Sequence, residues 1–311
     1  MVRKCDAIYA LDSVSVGLPA LLVSYLTRKP FLIRLGGDYA WEQGRIRFGL
    51  AMSLDEYTAD TSGRPIMVRV LARIQSFVVC RAQLVIAPSE YLKKIISTWG
   101  VRTEKIKVVY SALFPLPVTE TQEVLRKRLE YNGPVLITAA RLTPWKGVSS
   151  LIEMVAKLEQ EIPDLVLVVA GDGEAKESLE RKAMELRVAH RVRFVGRLSK
   201  EALGAAIKGA DAFVYNTSYE GLPHQLLEVM ELGIPIVTTN IAGNREILTD
   251  GVHALLCDPN DLDSLSLAVK RILESEHLRT QLTQNARVRS REFSKEVVSK
   301  ELTQILHEVI R

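Results

Sequence analysis

Cysteine is scarce in this chain. Three thiols among 311 residues, Cys5, Cys80 and Cys257, stand too far apart for a redox pair or a metal-binding spacing. That excludes a disulfide-stapled scaffold and favours a reducing compartment. Histidine is equally sparse: the five (190, 224, 253, 277 and 307) show no ligand spacing, so no zinc centre is expected. Long apolar runs are missing too. The longest, "SVSVGLPALLVSYL" (13–26), is too short to span a bilayer and carries Gly17 and Pro19. The basic start is followed by Asp6 and by no cleavage pattern, so no secretory leader is read. No internal repeat or low-complexity segment is present, and Gly, Pro and Ser are not in the excess that signals disorder. What remains is the composition of a cytoplasmic, enzyme-like chain, 47% hydrophobic and 25% charged, long enough for two domains with their own cores.

Charge is spread unevenly. Residues 1–115 hold 16 Lys/Arg against 9 Asp/Glu, whereas 116–311 hold 25 against 28. A basic first half suits an anionic partner, either a phospholipid surface at the inner membrane face or an anionic acceptor; it equally suits an ordinary solvated face. "RKR" (126–128) lies in a charged helix and reads as solvated surface, not as a nucleic-acid patch.

The second half alternates strand and helix. "PVLITAAR" (134–141), "LVLVVAGDG" (165–173), "RVRFVGRL" (191–198), "DAFVYN" (211–216), "PIVTTN" (235–240) and "HALLCD" (253–258) read as strands. Helical patterns stand between them at 148–162, 174–188 and 200–210, with another at 261–276. This order predicts a doubly wound parallel sheet, which binds ligands beyond the carboxyl ends of its strands. The first half reads similarly: strands in "DAIYAL" (6–11), "PFLIRL" (30–35) and "QLVIAP" (83–88), helices at roughly 17–28, 64–80 and 89–99. "KIKVVYSALF" (105–114) leads into the linker "PLPVTETQ" (115–122), so the boundary is placed between 1–115 and 116–293. In the tail, 294–311, Val298, Leu302, Ile305 and Val309 share one helix face, which must pack on one of the two domains.

Two groups of residues carry chemistry. In "SYEGLPHQLLEVM" (218–230), Glu220 hangs at the end of a strand, and Gly221-Leu222-Pro223 turns the chain into a helix beginning near His224. Glu228 then lies about one turn inside that helix, whose first amides form an anion site. A carboxylate on each side of a phosphate site suits a ligand with two sugars joined by diphosphate; the pair also fits an ordinary acidic loop and helix. In "RLTPWKG", Arg141 closes a strand and Lys146 follows five residues on, two cations able to neutralise a leaving diphosphate without a metal, or simply a basic turn. "GDGEAK" (171–176) lacks the third glycine of a dinucleotide fingerprint. "DLD" (261–263) mimics a metal motif but follows Pro259 at a helix start, where acids cap free amides. The aromatics of "GGDYAWE" (36–42) fit either the core or acceptor contacts.

The run "ITAARLTPWKG … LVVAGDGE … FVGRLS … YEGLPHQLLEVMELGIPIVTTNIAGNREILTDG" resembles the large retaining, nucleotide-sugar-dependent glycosyltransferase family 4 of the GT-B fold. The resemblance covers 134–311, in order and at normal spacing, and includes the family's E-x7-E pattern at Glu220 and Glu228. It implies α/β architecture with two Rossmann-like domains, and a tail helix that crosses back to the first. It implies a nucleotide diphosphate sugar as donor, UDP-linked by preference, with no further cofactor and no metal. Glu220 would contact the transferred sugar, Glu228 the ribose hydroxyls, Arg141 and Lys146 the diphosphate, and Arg197-Leu198 the base through backbone groups. Gly221, Leu222 and Leu227 would complete the donor site, and "AGNRE" (242–246) would lie near it. The implied activity is transfer of a hexose, with retention, to the hydroxyl of a glycan or lipid-linked acceptor in cell-envelope glycolipid or polysaccharide synthesis.

Two departures from the family stand out. The chain begins near the family's mid-domain strand, so the first domain is expected to lack its opening strands and to leave "DAIYAL" as an apolar edge. Where family members often carry a histidine, "LIRLGGDYAWE" offers Asp38 as the nearest polar residue for the acceptor side. The alternative is therefore a truncated or non-catalytic GT-B module that only binds donor. A GT-B isomerase acting on a nucleotide sugar is disfavoured, because the Arg/Lys pair with E-x7-E belongs to transferases.

Overall fold

Runs of aliphatic and β-branched residues form the strands, as burial on both faces of a parallel sheet requires. The computed structural model describes residues 5–259 and 261–310; Arg311, which closes the predicted tail helix, lies outside them. Two units emerge: the residues up to Ala112 together with those from Lys295, and Leu113–Ser294.

In the first unit, β1 (Ile8–Ala10), β2 (Phe31–Arg34), β3 (Leu84–Ala87) and β4 (Ile106–Val108) pair in parallel in that order. Helices α1 (Gly17–Thr27), α2 (Tyr39–Arg47), α3 (Leu54–Ala59), α4 (Ile66–Arg81) and α5 (Glu90–Ser97) connect them. The sequence pattern did not mark α2 or α3. Both start on local caps instead: Asp38 accepts from the Trp41 amide, and Ser53 and Glu56 cap each other's amides reciprocally. Among the described residues β1 pairs with β2 alone, leaving Tyr9 and Leu11 exposed at that edge.

In the second unit, β5 (Val135–Ala139), β6 (Val166–Ala170), β7 (Val192–Gly196), β8 (Ala212–Tyr215), β9 (Ile236–Thr239) and β10 (Leu255–Cys257) form one parallel sheet. Its order is β10-β9-β8-β5-β6-β7. The helices are α6 (Gln122–Arg128), α7 (Val148–Leu158), α8 (Lys176–Glu185), α9 (Lys200–Gly209), α10 (His224–Leu232), α11 (Ala242–Arg245), α12 (Leu262–Glu274) and α13 (Glu276–Ser290). All of β5, β8 and β9 is buried, and Leu151, Ile152, Val155 and Leu158 of α7 close one face of the core. Asp261 caps α12 by accepting from the Ser264 amide at 2.9 Å, and Asp263 pairs with Lys157, so "DLD" serves the helix start. In "RKR", Arg126 is not merely solvated: it pairs with Asp211 at 2.8 Å and donates to the Gly133 carbonyl at 2.6 Å.

The tail forms α14 (Lys295–Ile310), whose Val298, Leu302, Ile305 and Val309 pack on Leu32, Leu84, Ile86 and Val109 of the first sheet.

Candidate functional site

Strand β5 sits between β6 and β8, so the winding of the second sheet reverses there. A crevice opens at such a reversal, outside the carboxyl ends of the strands. Here it is a cavity of about 650 Å³, lined at the ends of β5 and β6 by Arg141, Gly171, Asp172 and Gly173. Arg197 and Leu198, beyond β7, and Leu203 and Gln225 complete it. Glycine is required at its floor. A Cβ on Gly171, which has φ +137°, would meet the Ala140 carbonyl oxygen at 1.8 Å. Arg141 is exposed at the cavity, 3.7 Å from Glu174.

A second group lies where the loops after β5 and β8 press together. Gly147 (φ +65°) lets the turn around Lys146 touch the β8 loop; a Cβ there would come within 1.9 Å of the Asn216 carbonyl oxygen. The Ser218 amide donates to the Trp145 carbonyl at 2.8 Å across the same seam. The Lys146 ammonium pairs with Glu220 Oε1, with 16% and 11% of their side chains exposed. Tyr215, the last residue of β8, joins them: its hydroxyl donates to Glu220 Oε1 at 2.5 Å and accepts from Lys146 Nζ at 2.8 Å. Burial first, then the Glu220 charge, raises the Tyr215 hydroxyl well above the usual tyrosine range, so it stays protonated. Beneath Glu220 runs α11, the start of "AGNRE". A Cβ on Gly243 would meet the Glu220 carbonyl oxygen at 2.0 Å, and Asn244 Nδ2 holds the Thr239 carbonyl at 2.8 Å.

Glu228 stands on α10, as the turn chemistry requires, and Pro223 at that helix's N-cap makes no side-chain capping bond. Gln225 Nε2 donates to Glu228 Oε2 at 2.9 Å, which links Glu228 to the cavity through a lining residue. Burial pushes the Glu228 carboxyl up, opposed by Lys200 and by the Gln225 bond.

The structure thus brings Arg141, Arg197 and Leu198 into one cavity with Gln225, and joins Lys146 to Glu220 in an adjoining buried pair. Arg141 lines that cavity, while Lys146 stands in the adjoining pair and not among the cavity's lining residues. The side chains of Leu222 and Leu227 are buried in the core. Asp38, expected on the acceptor side, is fully buried in the first unit, where it caps α2 and accepts from Gln75 Nε2 at 3.1 Å. Trp41 is core as well; its indole donates to the Met52 carbonyl at 3.0 Å. Tyr215 and Gln225 were not singled out from the sequence, because a tyrosine closing an aliphatic run reads only as a strand residue. Among the described residues, no group of three or more His, Cys, Asp or Glu side chains is placed to hold a metal ion.

Residues 121–289, just over half of the chain, match the family model described as glycosyl transferases group 1. The chain belongs to that family. Among relatives of this group 1 chain, the lipopolysaccharide core biosynthesis glycosyltransferase LpsE of Rhizobium meliloti is 31% identical over 176 residues, 56% of this chain and 50% of LpsE. The GDP-mannose-dependent alpha-(1-6)-phosphatidylinositol monomannoside mannosyltransferase of Mycolicibacterium smegmatis is 33% identical over 149 residues, 46% of this chain and 39% of that protein. The matched part therefore spans half or less of these two relatives. Anabaena HepE, solved with UDP and glucose, superposes with a TM-score of 0.83 at 21% identity, over 99% of this chain and 79% of HepE. The fold is accordingly GT-B, with two Rossmann-like α/β units built on parallel sheets. No described helix is long and apolar enough to cross a membrane.

Proposed function

We propose that this chain carries the donor side of a retaining hexosyltransferase that moves a sugar from a nucleotide diphosphate sugar to an acceptor hydroxyl, in the family's glycosyltransferase family 4 branch. The observation that carries the reading is the cavity at the reversal of strand order, with Arg141 and Arg197 beside it and the Lys146–Glu220 pair next door. UDP is the favoured nucleotide because HepE is solved with UDP-glucose. A cell-envelope acceptor, glycan or lipid-linked, is favoured by LpsE and the phosphatidylinositol mannosyltransferase. Such an acceptor, together with the basic first unit, fits a protein working at the cytoplasmic face of the membrane.

In this reading Arg141 and Lys146 meet the diphosphate, Arg197-Leu198 the base, Glu228 the ribose and Glu220 the transferred sugar. Gly221, Leu222 and Leu227 contribute backbone groups. Donor entry exchanges partners within the Lys146–Glu220 pair: the ammonium turns to phosphate and the carboxylate to sugar hydroxyls, so neither buried charge is left alone. The bond from the anomeric carbon to the diphosphate oxygen breaks as the acceptor oxygen attacks on the same face. The acceptor proton passes to the leaving diphosphate, and the arginine and lysine stabilise the charge left there. The test is a panel of nucleotide diphosphate sugars scored by calorimetric binding and by slow hydrolysis. UDP-hexoses are expected to bind and to release UDP slowly; affinity indifferent to the diphosphate would overturn the reading.

A further inference from the structure

The second sheet has another opening, at the end opposite the donor cavity. The segments that lead into β5, β6 and β7 border a cavity of about 290 Å³ there. Its walls are closely built. Gly133 lets the turn before β5 press on the one before β6; a Cβ on it would meet the Asp164 carbonyl oxygen at 2.7 Å. Glu130 and Asp164 hold left-handed backbone, with φ +53° and +61°, which is uncommon outside glycine and fixes both turns.

Three residues that line this cavity carry donors without hydrogen-bond partners among the described residues. The Arg191 side chain is only 19% exposed, yet its carboxylate neighbours stand beyond hydrogen-bonding reach, Glu159 at 3.8 Å and Asp164 at 3.7 Å. Its buried Nε is unbonded, and Glu159 lies closer to His190, at 3.2 Å. A guanidinium so enclosed ordinarily fills its N–H positions. Arg193, on the outer strand β7, has neither an ion pair nor a hydrogen bond. The Tyr131 ring is buried while its hydroxyl is unbonded. Burial raises that hydroxyl, and the nearby Arg193 and Arg126 charges pull it down. Arg126 is already engaged by Asp211 and the Gly133 carbonyl.

Two guanidiniums and a hydroxyl offer more donors than one carboxylate accepts. A phosphate monoester, with three terminal oxygens and up to two charges, matches them. The rest of the lining has the opposite character: the exposed side chains of Glu130, Asn132 and Asp164 suit neutral hydroxyls and would repel a second phosphate. At about 290 Å³ against about 650 Å³ for the donor cavity, the space fits a small metabolite and not a nucleotide sugar.

We propose that this cavity binds a small sugar phosphate. Arg191, Arg193 and the Tyr131 hydroxyl hold the phosphate, while Glu130, Asn132 and Asp164 bond the sugar hydroxyls. The site is separate from the donor cavity; β5 and β6 run between the two, with one at each end.

The test is calorimetric titration of the full chain with glucose 6-phosphate, inorganic phosphate and glucose, with and without saturating UDP. Glucose 6-phosphate is expected to bind more tightly than inorganic phosphate and equally in both conditions, and glucose not to bind. Arg193→Ala, at an exposed position where circular dichroism should match the parent, should weaken it about tenfold or more, as loss of a charge-assisted bond does. Tyr131→Phe keeps the ring and should weaken it about fivefold. Asp164→Asn, which keeps a residue tolerant of left-handed backbone, should narrow the preference over inorganic phosphate. Arg141→Ala should leave the affinity unchanged. No binding of glucose 6-phosphate, unchanged affinity in Arg193→Ala and Tyr131→Phe, loss of binding under UDP or in Arg141→Ala, or equal affinity for inorganic phosphate would overturn the proposal. Glucose 6-phosphate binding by a chain that does not bind UDP would support this site while overturning the donor reading.

Discussion

Tyr215 and Glu220 are joined by a buried 2.5 Å hydrogen bond, and Lys146 Nζ reaches the same hydroxyl at 2.8 Å. The tyrosine holds in register the two charged groups to which donor chemistry is assigned. Tyr215→Phe keeps the ring and its packing but removes the bridge. Turnover should fall about tenfold, the size expected when one hydrogen bond to a charged group is lost, with little change in donor KM. Steady-state kinetics check this; a rise in KM at constant kcat would assign Tyr215 to ground-state binding instead.

Arg141 is the freer of the two cations. Arg141→Ala should weaken UDP binding by about 1.5–3 kcal/mol, the range for charge-assisted bonds, and leave uridine affinity unchanged. Equal losses for nucleoside and nucleotide in a titration would remove the arginine from the phosphates.

Glu220 and Glu228 stand in different surroundings and should fail differently. Glu220→Gln should cut the single-turnover rate strongly at nearly constant UDP affinity. Glu228→Gln should weaken UDP itself, and a 2′,3′-dideoxy nucleotide should no longer distinguish it from the parent. Reversed outcomes would reverse the orientation of the donor.

Asp38 makes a prediction about stability. Burial raises its carboxyl above the ordinary value of 3.8 despite bonds from Trp41 and Gln75. The folded state therefore holds the proton to higher pH than the unfolded one. The stability linked to this group is present below about pH 3.9 and is lost as pH rises through the raised folded value. Asp38→Asn keeps a capping oxygen without the charge. It should raise Tm relative to the parent at pH 7.5 and do so less at pH 4; an equal shift at both would show the charge to be immaterial.

The strands of the second sheet were legible because burial on both faces demands unbroken runs such as "VLVVA" in β6 and "AFVY" in β8. The loop-to-helix turn before α10 was legible because Gly-Leu-Pro permits little else. Helix α13 was not: its buried positions are Leu282, Ala286 and Ser290, two of them too small or polar to write an apolar stripe. The Lys146–Glu220 pair was equally hidden, since its members stand 74 positions apart and meet only through the seam between two loops. The capping role of Asp38 was hidden for a related reason, since the sequence pattern did not mark the helix it caps. A polar residue in a glycine-rich loop reads as surface chemistry until the helix it caps is seen.

The packing of α14 on the first sheet has a consequence for synthesis. The whole second unit is an insertion between Ala112 and Lys295 of the first. A chain made from its amino end can complete the inserted unit while Leu32, Leu84, Ile86 and Val109 still await their cover. The first sheet is covered only after the inserted unit is made, and an apolar surface that invites aggregation stays open until α14 has left the ribosome.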